Sequence, residues 1–167
     1  YVVQEGDTVL LNTATASSIS QLDNITVVED TSDACIVEIC YEETAFGGET
    51  SGEGKAWWYY FDTLGGGIQP IWAGKHYEAG TVTVSECSGD PTKRTISIVL
   101  ADDWYLMDDD ESVKIQGYDE AVPAKRQPAG RFETYKGDET EVGVQCFKFY
   151  IIQLDVRHCG EFEVEDE

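Results

Sequence analysis

The sequence predicts an all-β fold, a single β-sandwich or jelly-roll-like domain over residues 1–167, on three observations. Short runs rich in Val, Ile, Thr, Tyr and Trp recur along the chain, and clusters of Gly, Pro, Asn and Asp separate them. No stretch repeats its apolar residues at the 3.6-residue period of a helix. Frequent short strands with frequent turns are the pattern of a two-sheet sandwich.

The elements follow in order. Thr8-Val9-Leu10-Leu11 and Ile25-Thr26-Val27-Val28 read as short strands, so residues 1–40 are expected to add strands at the amino-terminal side. Residues 35–41 alternate apolar and polar side chains, which suits a half-buried strand. The Gly-rich residues 47–54 form a loop. Ala56-Trp57-Trp58-Tyr59-Tyr60-Phe61 is apolar at both parities, as in a central strand covered on both faces or one whose second face meets another molecule, and Gly65-Gly66-Gly67 ends it. Thr81-Val82-Thr83-Val84 and residues 95–100 alternate cleanly across Asp90-Pro91 and read as a hairpin. Val113-Lys114-Ile115-Gln116 is another strand, and residues 121–130, with Pro and Gly, a long connection. Val142-Gly143-Val144 and residues 147–156 make the last two strands, with Phe149, Ile151 and Leu154 as core candidates. An acidic edge strand or tail at 161–167 completes the chain.

Charge bounds the function. Asp and Glu number 33 against 11 Lys and Arg, a formal net charge of −22. Such a surface repels polyanions, which excludes nucleic acid and anionic membranes as partners, and it attracts divalent cations. The acids are interleaved with strand-forming runs, and a hydrophobic content of 41% marks a folded domain rather than a disordered acidic chain. No run approaches the roughly 20 apolar residues of a membrane span. No leader pattern is present, and a first residue of Tyr1 rather than Met fits one already removed.

The cysteines are Cys35, Cys40, Cys87, Cys146 and Cys159. None forms a Cys-x-x-Cys, and His76 and His158 do not stand at zinc-ligand spacing from them, so disulfides in an oxidising compartment are expected. The odd count leaves one thiol, either buried or available to a neighbouring subunit. The pairing stays open. Asn24-Ile25-Thr26 is a glycosylation sequon, which places Asn24 as a candidate acceptor in a secreted chain.

Catalytic patterns are weak. Residues 48–55 imitate a phosphate-binding loop, but Gly48 and Gly54 are one residue too far apart and Ala56 replaces the magnesium-binding hydroxyl. No Ser occupies a Gly-x-Ser-x-Gly elbow. His158 adjoins Cys159 on a strand, where neighbours point to opposite faces. No enzyme is expected.

The acid clusters carry more. Asp102 and Asp103 precede Trp104, and Asp108-Asp109-Asp110-Glu111 follow, which puts six acids in one region between strands. Calcium takes six to eight oxygens in flexible geometry and is the cation expected here, although the run lacks the alternate-residue ligands and sixth-position Gly of an EF-hand. A solvated acidic loop accounts for the same residues. The tail Glu161-Phe162-Glu163-Val164-Glu165-Asp166-Glu167 alternates acid with apolar residues, so as a strand it puts Phe162 and Val164 on one face. That suits addition to a sheet edge. Trp57, Trp58, Trp72, Trp104 and Tyr105 are either core or rings for stacking on sugars.

From Glu43 onward the chain resembles modules of secreted bacterial and archaeal surface proteins of poorly assigned function. The likeness is carried by Glu43-Thr44-Ala45-Phe46-Gly47-Gly48, Phe61-Asp62-Thr63, Trp72-Ala73-Gly74-Lys75 and Ala79-Gly80-Thr81-Val82-Thr83-Val84. It continues through Val113-Lys114-Ile115-Gln116-Gly117-Tyr118, Pro128-Ala129-Gly130-Arg131-Phe132, Phe149-Tyr150 and Cys159. The resemblance implies a β-sandwich outside the cell and no catalytic residues. In general style the chain also resembles acidic tubule- and filament-forming subunits of archaeal surfaces.

The expectation is a secreted structural subunit of a filament, tubule or surface layer. Copies would join through terminal strands that include Val2, Val3, Phe162 and Val164, with calcium bridging acidic faces. A carbohydrate-binding or adhesion module, with polysaccharide as its partner, is the alternative.

Overall fold

The structure, a computed structural model, describes residues 40–87 and 93–159 and, of the remainder, the strands Ala16–Ile19 and Ile25–Val28. The chain divides into two units, Tyr1–Cys40 with Cys159–Glu167, and Tyr41–His158. In the first, β1 (Ala16–Ile19) and β2 (Ile25–Val28) pair antiparallel, Ala16 opposite Val28 and Ile19 opposite Ile25. The second sequence-predicted strand is therefore present. The first, at residues 8–11, lies outside the described residues.

The remaining strands are β3 (Cys40–Gly47), β4 (Thr50–Ser51), β5 (Tyr59–Asp62), β6 (Ile68–Ala73), β7 (Tyr77–Val84), β8 (Arg94–Leu100), β9 (Trp104–Leu106), β10 (Val113–Tyr118), β11 (Tyr135–Gly137), β12 (Glu141–Val144) and β13 (Phe149–Cys159). One 3₁₀ turn, Ala129–Arg131, interrupts the strands. The fold is all-β. Hydrogen-bonded order runs β11-β10-β13-β3-β6-β7-β8-β12, with β5 and β9 also pairing along β13 and β4 pairing β5.

The two ends of that order are neighbours in sequence. Residues 138–140 alone link β11 to β12, a reach of roughly 14 Å at most, and the link is bonded onto β8 through Ile98 N–H to Thr140 O at 2.8 Å. The sheet of the larger unit therefore curls over on itself in a sandwich-like arrangement. Its interior is one cluster: Ile71 and Ala73 of β6, Ala79 and Val82 of β7, Ile96 and Ile98 of β8, Val113 and Ile115 of β10, and Tyr150, Ile152, Leu154 and Val156 of β13, among others. These residues alternate along their strands, so one parity faces in, except in β7, where the irregularity at Ala79 shifts the inward parity between Ala79 and Val82.

A second, smaller cluster covers part of the outer face. Phe46 of β3 and Ile151 of β13 meet Trp58, Ala129 and Phe132, which arrive on loops. β13 is thus buried on both faces from Tyr150 to Leu154 and is the central two-sided strand. The run 56–61 was expected in that role, but only Tyr59–Asp62 is strand. Trp58 instead folds inward from a loop, its indole N–H donating to Glu53 O at 2.9 Å and its carbonyl accepting the Gly52 N–H at 2.8 Å.

Strand β6 sits where Gly65-Gly66-Gly67 and Pro70 suggest a loop. Pro70 pairs with Thr81, and its carbonyl accepts the Gly48 N–H at 2.9 Å. A strand residue presents N–H and C=O to the same neighbour, so the missing proline donor faces the side where β3 has just ended at Gly47, and one ladder bond is all that is lost. The β6–β7 register shifts between Ile71 and Trp72, and Gly80 takes φ +148°. A Cβ there would run into the Val99 carbonyl, so the bulge requires glycine.

Tyr150 fixes the β12–β13 connection from within the core. Its hydroxyl donates to Gln145 O at 2.7 Å and accepts the Phe147 N–H at 2.8 Å. Burial raises its pKa above the ordinary value of 10.0, with the Phe147 N–H and the Arg94 charge opposing. A raised folded pKa means that the contribution to stability is full below about pH 10 and is lost as pH climbs through the folded value. Tyr150→Phe is expected to destabilise the protein at neutral pH by about 1–3 kcal/mol, because two part-buried hydrogen bonds are lost at about 0.5–1.5 kcal/mol each. The same variant should decline less steeply above about pH 10. Urea unfolding at both pH values measures the two effects.

Candidate functional site

Strand β9 divides the acid-rich region. Trp104, Tyr105 and Leu106 pair with His158, Arg157 and Val156 of β13, and Trp104 is buried in the main cluster. Asp102 and Asp103 therefore occupy the turn before β9, Asp103 with φ +67°, and Asp108 to Glu111 the turn after it. Five residue steps separate Asp103 from Asp108, roughly 16 Å at strand spacing, so what reads in the sequence as one region is two.

The second turn is organised around Ser112, which is fully buried. Its Oγ lies 2.6 Å from Met107 O and 2.7 Å from Asp109 O, its single hydroxyl hydrogen shared between the two carbonyls. The Asp109 carboxylate accepts the Glu111 N–H at 2.9 Å, the ordinary way an Asp stabilises a turn. Asp108 reaches Arg157 at 2.9 Å, and Asp110 and Glu111 are exposed.

Asp109 also lines a concavity of about 460 Å³ together with Glu42, Glu43, Thr44, Met107 and Asp155. Four acidic residues thus contribute to the lining of one depression, although Glu42 and Glu43 are neighbours on β3 and leave opposite faces, and the Glu43 carboxylate lies against Gly74. Asp155 is paired with Lys114 at 2.6 Å. Among the described residues no three His, Cys, Asp or Glu side chains converge as a ready ligand set, so a cation here would have to draw Glu42, Glu43 and Asp109 inward. Sequence reasoning missed Glu42, Glu43 and Asp155. Asp155 alone left a signal, as a carboxylate inside the most apolar segment of the chain.

Two disulfides join Cys40 to Cys159 and Cys87 to Cys146. The first ties the leading residue of β3 to the last of β13; the second links the end of β7 to the β12–β13 connection. Cys35, Asn24, Val2, Val3, Phe162 and Val164 lie outside the described residues. Among the described residues no helix is long and apolar enough to cross a membrane.

No family model matches this chain, and no curated protein or solved structure matches it either. Function must therefore be argued from the site itself.

The aromatic candidates split. Trp58 and Trp104 are core, whereas Trp57 and Trp72 are half-buried and Tyr105 is exposed. Trp72 lies 6.1 Å from Tyr59 with ring planes 33° apart. His76 occupies an exposed turn, its N–H bonded to Ala73 O at 3.2 Å, and His158 packs its ring 4.8 Å from that of Trp104. Residues 48–55 turn through β4, which pairs Thr50 and Ser51 with Tyr60 and Tyr59; they belong to a hairpin.

Proposed function

We propose that this chain is a structural subunit of an extracellular assembly, with divalent cations, calcium above all, relieving the repulsion between copies. The observation that supports this reading is a disulfide-braced all-β unit within a chain of net charge −22. Its described acids enter two ion pairs, Lys114–Asp155 and Arg157–Asp108. Disulfides persist in oxidising compartments, and so much unpaired charge opposes association until ions screen or bridge it. Terminal strands bearing Val2, Val3, Phe162 and Val164 would add to a neighbour's sheet edge, and carboxylates such as Glu42, Glu43 and Asp109 would hold the cation.

Calcium added to the purified chain, with magnesium and sodium as controls, is expected to produce ordered polymers visible by light scattering and electron microscopy. A monomer in every salt overturns the reading.

The Tyr59–Trp72 ring pair favours a second reading, an adhesion module for polysaccharide. Quenching of tryptophan fluorescence by a neutral glycan, with no polymer formed, would select it.

A further inference from the structure

We propose that Cys87–Cys146 is an exchangeable disulfide, at which a small thiol attacks Cys146 and Cys87 departs as a thiolate held by Arg94. The inference is independent of the subunit reading above. The two disulfides differ in access. Cys159 is 5% exposed, so Cys40–Cys159 is shielded at one of its sulfurs. Cys87 is exposed and Cys146 half-buried, so a thiol can reach the second bond from solvent.

Arg94 separates the two bonds further. Its Nε–H donates to Cys87 Sγ at 2.9 Å. Register brings these groups together. Arg94 opens β8 opposite Val144 of β12. Ser85, just past β7, donates its N–H to Thr95 O at 2.9 Å, and its Oγ accepts the Thr95 N–H at 2.9 Å. Cys87 follows Ser85 by two residues and Cys146 follows Val144 by two, so β7, β8 and β12 converge on the bond. A disulfide sulfur is a weak acceptor, whereas a thiolate takes a charge-assisted hydrogen bond. The guanidinium therefore binds the departing thiolate more strongly than the intact bond, and that difference lowers the barrier to cleavage.

Local charge points the same way. Within two residues of Cys87, Arg94 or Cys146 the sequence has Lys93, Arg94 and Lys148 and a single acid, Glu86. In a chain of net charge −22 this is a basic spot, and it attracts the anionic thiolate that performs the attack. Access alone would favour attack at Cys87, the more exposed sulfur. Arg94 already occupies that sulfur and makes it the better leaving group, which directs the nucleophile to Cys146.

The step balances without an oxidant. The incoming thiolate forms a bond to Cys146 Sγ as the Cys87–Cys146 bond breaks, and the electron pair leaves on Cys87 Sγ. Cys146 then carries the thiol as a mixed disulfide. The Cys87 thiolate either takes up a proton or returns to displace the thiol. The bond can open with its surroundings in place. β12 is paired to β8 from Glu141 to Val144, and the Tyr150 hydroxyl holds Gln145 O and the Phe147 N–H on either side of Cys146. Cys146 is thus a point at which a thiol can modify the chain while Cys40–Cys159 braces the fold.

Reduced glutathione at about pH 8, close to the ordinary thiol range, is the probe. It is added to the Cys35→Ser chain, so that the odd thiol takes no part. Samples quenched early with N-ethylmaleimide and digested are expected to show glutathione on Cys146, maleimide on Cys87 and an intact Cys40–Cys159 by mass spectrometry. That mapping keeps Arg94 in place and needs no further substitution. Arg94→Gln should slow the exchange about tenfold, because the departing thiolate loses its charge-assisted partner. Arg94→Lys, which keeps the charge, should recover most of the rate, with circular dichroism confirming the fold of each variant. An arginine that only braced the strand would give the opposite sign, since loosening the start of β8 exposes the bond and speeds its opening. Glutathione on Cys87, equal opening of both disulfides, or a rate unchanged or raised in Arg94→Gln overturns the inference.

Discussion

Replacing Cys40 and Cys159 together by alanine is expected to lower the unfolding free energy by roughly 4–5 kcal/mol. The bond spans a sequence separation of 119, and closing a loop of that length removes about 5 kcal/mol of chain entropy from the unfolded ensemble. The same reasoning gives about 4 kcal/mol for Cys87–Cys146, whose separation is 59, because closure entropy grows only with the logarithm of length. A domain of this size holds about 5–15 kcal/mol in all, so the loss is a large share of the total. The location adds to it. Cys40 and Cys159 terminate β3 and β13, which are neighbours in the sheet, and β13 contributes to both hydrophobic clusters. Urea unfolding of the double variant against the parent decides the matter. A loss below about 1 kcal/mol would mean that the unfolded chain is already compact without this bond.

The pairing itself could not be read from the sequence, because spacing does not say which cysteines the sheet brings together. Much of the fold could. Strands β7, β8, β10, β12 and β13 announce themselves by alternation or by β-branched runs, since one face of each meets the core. Strand β6 hides because Pro70 and three preceding glycines are turn residues everywhere except at a place where a neighbouring strand has stopped. β3 hides in part because Glu42, Glu43 and Thr44 are polar in a row, a pattern that alternation cannot recognise. The run at 56–61 misleads for a different reason. Apolar density reports burial, and Trp58 is buried, but a loop can deliver a ring to the core as well as a strand can.

The candidate site shows the same limit. Asp102, Asp103 and Asp108 to Glu111 are visible as acids, yet the short strand β9 that separates them is anchored by pairing to a segment some fifty residues away. Glu42 and Glu43 reach the concavity through β3, and Asp155 through β13; no local pattern links them. The outer rows of β6, β7 and β8 are likewise a property of register. Thr81, Thr83, Thr95 and Ser97 can be seen in the sequence, but their rows with Ile68 and Val99 cannot.

Trp58→Ala should cost about 3–5 kcal/mol, the range for deleting a fully buried large aromatic. Trp58 is 1% exposed and heads the fully buried side chains by volume. Its ring fills the space against Gly52, where even a Cβ would collide with it, and it closes a cluster of only five buried residues with Phe46, Ala129, Phe132 and Ile151. A small cluster has few neighbours able to collapse into the void, which places the cost toward the upper end. Arg126 lies 5.0 Å over the Phe46 ring and donates to Gln153 Oε1 at 2.9 Å, and burial pulls its pKa below the usual arginine range. Losing the ring beneath this layer would therefore let water reach a guanidinium that is now partly desolvated. Hydrogen exchange separates this from general unfolding. The N–H groups of Gly52, Arg131 and Phe132 should lose protection first, while those of β13 that face β10 keep it, because the main cluster does not depend on Trp58. Equal loss in both regions would show that the two clusters unfold as one, and that the loop layer is part of a single cooperative core rather than a cover laid upon it.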